Sequence, residues 1–265
     1  MQFRLSLLAS AVICAGAFAQ SDSVPFPHHG QTTFPATRTM YPSEFKAGAP
    51  YSAEEVNESV QTLADGTHIT MKAAPKKVYR DSFGRTREER PLFYVVKNTE
   101  AAEWPQLVEI MDPVAQVKYT LDVSEKVAHR QQMPVEVQPR RTPAASGVAP
   151  IAKKKPVQTT EEPQPKTNRE DLGTATVEGV TAEGWRDTTI YPIGCVDNDR
   201  PITAVTEYWT SKDLGTVLRK RTDPRMGDTI YRLTNISLTE PPASLFQVPG
   251  DYTVVDEAGA FSIAH

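Results

Sequence analysis

The chain has 265 residues, enough for one large domain or two small ones, and a formal net charge of −4, which offers no basic footprint for nucleic acid. Two cysteines, Cys14 and Cys195, are too few for a disulfide-stapled scaffold, so the fold has to rest on a buried core.

Residues 1–19 read as a secretory signal peptide. Arg4 supplies a short positive start, 5–15 is an apolar run, and Ala17 and Ala19 place small residues where a signal peptidase reads. Cleavage is expected between Ala19 and Gln20. The run is well short of the ~20 apolar residues that span a bilayer. No other segment is apolar enough to cross one. The expectation is an exported mature chain, periplasmic or extracellular, with no transmembrane segment. Cleavage removes Cys14, and Cys195, beside Ile193 and Val196, then reads as a buried, inert thiol.

Residues 20–50 carry prolines at 25, 27, 35, 42 and 50 and read as an extended lead-in. His28-His29 has no carboxylate or cysteine at ligand spacing and is not read as a metal site. From Tyr51 the texture becomes strand-like, and 51–130 is expected to form the first half of a β-sheet. A capping-box pattern at Ser52 to Glu55 invites a helix. Val56, Asn57, Ser59, Val60 and Thr62 form helices poorly, so a strand is expected over 55–63. Asp65-Gly66 then turns the chain into a return strand at 67–71. Asp81 to Gly84 joins 77–80 to 85–88, and Asp112-Pro113 joins 107–111 to 117–123. In that last strand Val117, Tyr119, Leu121 and Val123 alternate with Lys118, Thr120 and Asp122, which predicts one buried and one wet face. A short strand at 127–129 follows, completing an antiparallel meander.

Over 131–168 proline recurs at 134, 139, 143, 150, 156, 163 and 165 among lysines and glutamates, and the segment reads as a disordered linker. The second half of the sheet is expected over 169–258. Strands at 174–177 and 180–191 flank Glu178-Gly179, and further strands are expected at 203–210, 215–221 and 229–238. A helical turn opened by prolines occupies 240–246, and a short run at 253–255 closes the fold. Each half holds few large apolar residues, which favours one sheet built from both. Asp223, Pro224 and Gly227 are the residue types of a hairpin connection, so 223–228 reads as a turn rather than a binding loop. The basic run Arg219-Lys220-Arg221 is expected on a solvent face or blunting a sheet edge.

No nucleophile–base pair, phosphate-cradling glycine loop or cysteine metal knuckle is legible, so the chain is not read as an enzyme and no cofactor or metal is implied. Asp197-Asn198-Asp199 lacks the glycine and distal glutamate of a calcium loop and reads as a polar turn. Aromatic residues on predicted strands are more suggestive. Tyr119, Leu121, Trp185, Trp209 and Tyr231 are the candidate lining for an apolar ligand, against the alternative that they simply pack a core.

The run Glu207 to Val217, then Asp223 to Gly227, Tyr231 to Ile236 and Phe246-Gln247-Val248-Pro249-Gly250-Asp251-Tyr252 resembles secreted bacterial proteins of the outer-membrane lipoprotein-sorting superfamily, which includes LolA-like carriers and RseB/MucB-like sensors. The resemblance implies a curved antiparallel half-barrel with a few short helices. It implies an exported, non-enzymatic envelope protein that binds a lipid, a lipoprotein acyl chain or a protein segment. The alternative is a structural or regulatory module that contacts another envelope protein and holds no small ligand.

Overall fold

The computed structural model describes residues 31–40, 45–91, 106–134 and 163–264. The expected signal peptide with its Ala19–Gln20 cleavage point, the His28-His29 pair and the linker core at 135–162 lie outside these residues. The protein is mainly β. Its strands are β1 (Gln31–Phe34), β2 (Tyr51–Thr62), β3 (His68–Lys72), β4 (Lys76–Arg80), β5 (Thr86–Pro91), β6 (Gln106–Asp112), β7 (Val117–Asp122) and β8 (Val127–Gln132). After 135–162 come β9 (Lys166–Val177), β10 (Val180–Tyr191), β11 (Ile202–Ser211), β12 (Gly215–Asp223), β13 (Gly227–Ser237), β14 (Thr253–Glu257) and β15 (Phe261–Ala264). A single 3-10 turn is described, at Ala243–Phe246.

Thirteen strands form one curved sheet in the order β14-β8-β7-β6-β5-β4-β2-β13-β12-β11-β10-β9, with β3 added beside β2. Two runs of consecutive hairpins, β4 to β8 and β9 to β13, are joined through β2. That strand is long enough to pair with β13 along one edge and with both β4 and β3 along the other. The outermost strands, β14 and β9, do not pair with each other, so the sheet stays open. Among the described residues all pairings are antiparallel except β14 on β8. Register shifts at Gly184/Trp185, Trp209/Thr210 and Thr234/Ser237 add local twist to the second run, as bulges do.

The core is divided between the two faces. Phe246 of the 3-10 turn packs on Val108, Ile110, Leu121 and Ala128, with Tyr79, Tyr119, Leu245 and Tyr252 around it. Arg87 secures this cover by donating to the Leu245 carbonyl at 2.9 Å. On the opposite face Leu107 packs on Phe34, Phe261 and Ile263, which belong to the separate β1–β15 pair. The Phe34 and Phe261 rings stack at 5.0 Å, and His129 stacks on Phe261 at 4.4 Å. A third cluster, Ala53, Val78 and Leu233, lies where the two runs of hairpins meet.

Three expectations are corrected. The face of β7 bearing Thr120 and Asp122 is not wet: these residues are 1% and 6% exposed. Thr120 sits opposite His129 and Asp122 opposite Leu107, both under the β1–β15 cover. Asp122 tolerates burial because Ser124 and Glu125 donate backbone N–H groups to its carboxylate. Second, residues 31–34 are a paired strand within the supposed lead-in, and β15 follows the strand expected to close the fold. Third, β9 begins at Lys166, inside the expected linker. It is an edge strand exposed over most of its length, so its first half carries no apolar signal. Of the two places expected for the basic run, the solvent face holds: Arg219 and Lys220 are exposed, on a strand, β12, that is interior between β11 and β13.

Candidate functional site: an aromatic face and its two clefts

Side chains alternate across a strand, so the cross-strand registers assign each residue to a face. On one face of the second run, Trp185 pairs with Tyr208, Tyr208 with Arg219, and Arg219 with Tyr231. The result is a ladder running straight across β10, β11, β12 and β13. Trp185 and Tyr208 stack with centroids 5.2 Å apart and planes 18° from parallel. The Arg169 guanidinium of β9 covers the Trp185 ring at 5.4 Å, and that of Arg219 lies 5.6 Å from the Tyr231 centroid. Such cross-strand aromatic and cation–π contacts are worth about 0.5–1 kcal/mol each. Trp185, Tyr208 and Tyr231 are half-buried and Arg219 is exposed, which leaves a largely aromatic surface with one exposed cation.

The ladder is electrostatically uneven. Arg169 grips Asp187 with two bonds of 2.7 Å each, and this hydrogen bonding holds the Asp187 carboxyl below the usual carboxylate range. Burial pushes the Tyr231 hydroxyl well above its ordinary pKa, with Glu55 and Tyr51 adding to the rise and Arg219 opposing it. The Trp185 Nε1–H is buried and finds no acceptor among the described residues.

A cleft opens at each end of the ladder. At the Trp185 end a cleft of about 620 Å³ is lined by Val180, Ala182, Trp185, Leu214 and Leu238, with Thr174, Thr181, Thr210 and Ser211 among its hydroxyls. At the Tyr231 end a cleft of about 290 Å³ is lined by Asn57, Ser59, Met71, Arg219, Thr229 and Tyr231. The smaller one exists because β3 joins β2 off the main path of the sheet. The larger volume lies inside the ~300–1,000 Å³ range of small-molecule sites.

The five residues expected to line an apolar site do not share this surface. Trp185 and Tyr231 stand on the ladder. Tyr119 and Leu121 lie on the other face of the sheet, Leu121 fully buried and Tyr119 packed against the cluster under Phe246. Trp209 also faces away from the ladder. Its ring lies across Gly184, where an added Cβ would come within 2.6 Å of it, and its Nε1–H donates to Glu207 at 2.7 Å. Around Trp209 that face is polar, with Arg186 bridging Glu170 and Glu207. Arg219 is the site residue that sequence reasoning missed. It and Tyr208 are nearly symmetric about the 212–214 turn, but the shift at Trp209/Thr210 moves the pairing by one residue.

The turn at 223–227 is structural. Asp223 is buried, accepts from the Arg225 backbone N–H at 3.0 Å, and binds the Arg221 and Arg225 guanidiniums at 2.7 and 2.8 Å. Gly227 adopts φ +82°, and a Cβ there would meet the Val60 carbonyl oxygen at 2.4 Å. Asn198 likewise closes its own loop, its amide donating to the carbonyls of Tyr191, Pro192 and Arg200. Cys195 is half-buried in that loop with a free thiol. Among the described residues no three His, Cys, Asp or Glu side chains gather as metal ligands, and no helix is long and apolar enough to cross a membrane.

No family model matches the chain, and no curated protein matches it. Among solved structures it is similar to an uncharacterized conserved protein from Thermus thermophilus, at 8% identity and a TM-score of 0.36, over 79% of this chain and 91% of that one. It is also similar to a LolA superfamily protein from Nitrosomonas europaea, at 9% identity and a TM-score of 0.28, over 77% and 92% of the two chains. A third similar structure is a putative outer membrane lipoprotein-sorting protein domain from Vibrio parahaemolyticus, at 8% identity and a TM-score of 0.21, again over 77% and 92%. No residue role passes from these proteins to this chain.

Proposed function

We propose that this is an exported, non-enzymatic binding protein of the bacterial envelope, which holds the apolar part of a lipid or lipoprotein acyl chain on its aromatic face. The observation that carries the reading is the half-buried Trp185–Tyr208 stack opening into a 620 Å³ cleft walled by Leu214 and Leu238. An acyl chain needs apolar walls, which Val180, Ala182, Trp185, Leu214 and Leu238 supply, while Glu183, Lys212 and Asp213 are the charged residues of the same cleft. Leu238 is 59% exposed and so gains by being covered.

Protein purified from its native host should release lipid on organic extraction, detectable by mass spectrometry. Leu238→Glu introduces a charge at an exposed cleft position without disturbing the core, and should lower the lipid recovered by about tenfold, equivalent to ~1.4 kcal/mol of affinity. A lipid-free wild-type protein would sink the reading, as would undiminished lipid in the variant.

A further inference from the structure

The aromatic ladder contains a cation that no carboxylate neutralises. Arg169 is tied to Asp187, but Arg219 is exposed, and among the described residues it makes no ion pair. The carboxylates in its neighbourhood are engaged elsewhere. Glu58 pairs with Lys72 and Arg232, each at 3.4 Å, while Glu55 and Glu88 share Lys76 at 2.8 and 3.2 Å. Among the described residues the guanidinium therefore has no ion-pair partner where it lines the 290 Å³ cleft, whose other polar residues are Asn57, Ser59, Thr229 and the already paired Glu58. The larger cleft, with Trp185, Leu214 and Leu238 in its walls, lies at the other end of the same ladder. Three strand spacings of ~4.8 Å separate Trp185 from Tyr231, about 14 Å in all.

We infer that the ligand is an anionic amphiphile, its chain in the cleft beside Trp185 and its carboxylate or phosphate head on Arg219. Guanidinium binds either head group through paired N–H donors, and the half-apolar surroundings strengthen the contact. The inference rests on the apolar-ligand reading above and adds the head group to it.

Laurate, dodecyl phosphate and dodecanol share one chain length and differ at the head, so titrating each against the full-length protein isolates the head-group effect. Laurate or dodecyl phosphate should bind about tenfold tighter than dodecanol, the size expected of a hydrogen-bonded charge. Arg219→Gln should abolish that preference by weakening laurate and dodecyl phosphate more than dodecanol, and Arg219→Lys should retain most of it. Equal affinity for all three ligands in the wild type overturns the head-group inference while the apolar reading stands. A preference that survives in Arg219→Gln overturns it as well. Acetate or inorganic phosphate binding as tightly as its twelve-carbon counterpart would make this a small-anion site instead. If no twelve-carbon ligand binds, both readings fall together.

Discussion

Asp223 sits buried at the end of β12, and hydrogen bonds from Arg225 and then Arg221 hold its carboxyl well below the usual carboxylate range against the opposing effect of burial. Because the folded pKa lies below the unfolded one, unfolding in acid takes up a proton. The stability it contributes is complete above the ordinary carboxylate value of ~4 and fades as the pH falls below it. Asp223→Asn should therefore lower stability by about 2 kcal/mol at neutral pH. It should also flatten the fall in melting temperature from pH 5 to pH 3. Thermal melts of both proteins across that range decide the matter, and parallel curves would remove Asp223 from the account. The turn chemistry of Asp223, Pro224 and Gly227 was legible because it is local. The two arginines that bracket the carboxylate gave no such signal, since basic residues near an aspartate are common on any surface.

At the scale of elements, β7 lies close to where strict alternation puts it, and β10 and β13 close to where the turn signals at 178–179 and 223–228 put them. The elements that escaped notice were short or polar. β1 and β15 have four residues each, and neither is recognisable until the other lies beside it. Their contribution is nonetheless large, because they turn the expected wet face of β7 into a second core. Phe261 is 8% exposed and stacks on both Phe34 and His129. Phe261→Ala should cost about 3 kcal/mol, since it leaves a cavity above Leu107. Urea unfolding should show a lower midpoint with an unchanged slope. A midpoint within error of the wild type would mean that the β1–β15 pair is only loosely attached.

At the scale of the whole molecule, the halves on either side of 135–162 meet at β2 and β13, where Leu233 is 2% exposed against Ala53 and Val78. A junction of paired backbone and shared core should couple them. Far-ultraviolet circular dichroism and the tryptophan fluorescence of a Trp104→Phe variant, whose remaining tryptophans Trp185 and Trp209 both lie in the second half, should give the same unfolding midpoint. Two separated midpoints would show independent units. The sequence by itself determined the strand-rich texture, the turn positions and the preference for one sheet over two, because alternation, turn chemistry and apolar content are local or additive properties. Only the tertiary structure decided which aromatics share a surface. Each strand residue's face depends on register accumulated across neighbouring strands, and the single bulge at Trp209/Thr210 shifts every partner beyond it. That shift sets Arg219 beside Tyr208 and Tyr231, while Trp209, the next residue along the chain from Tyr208, faces the other way.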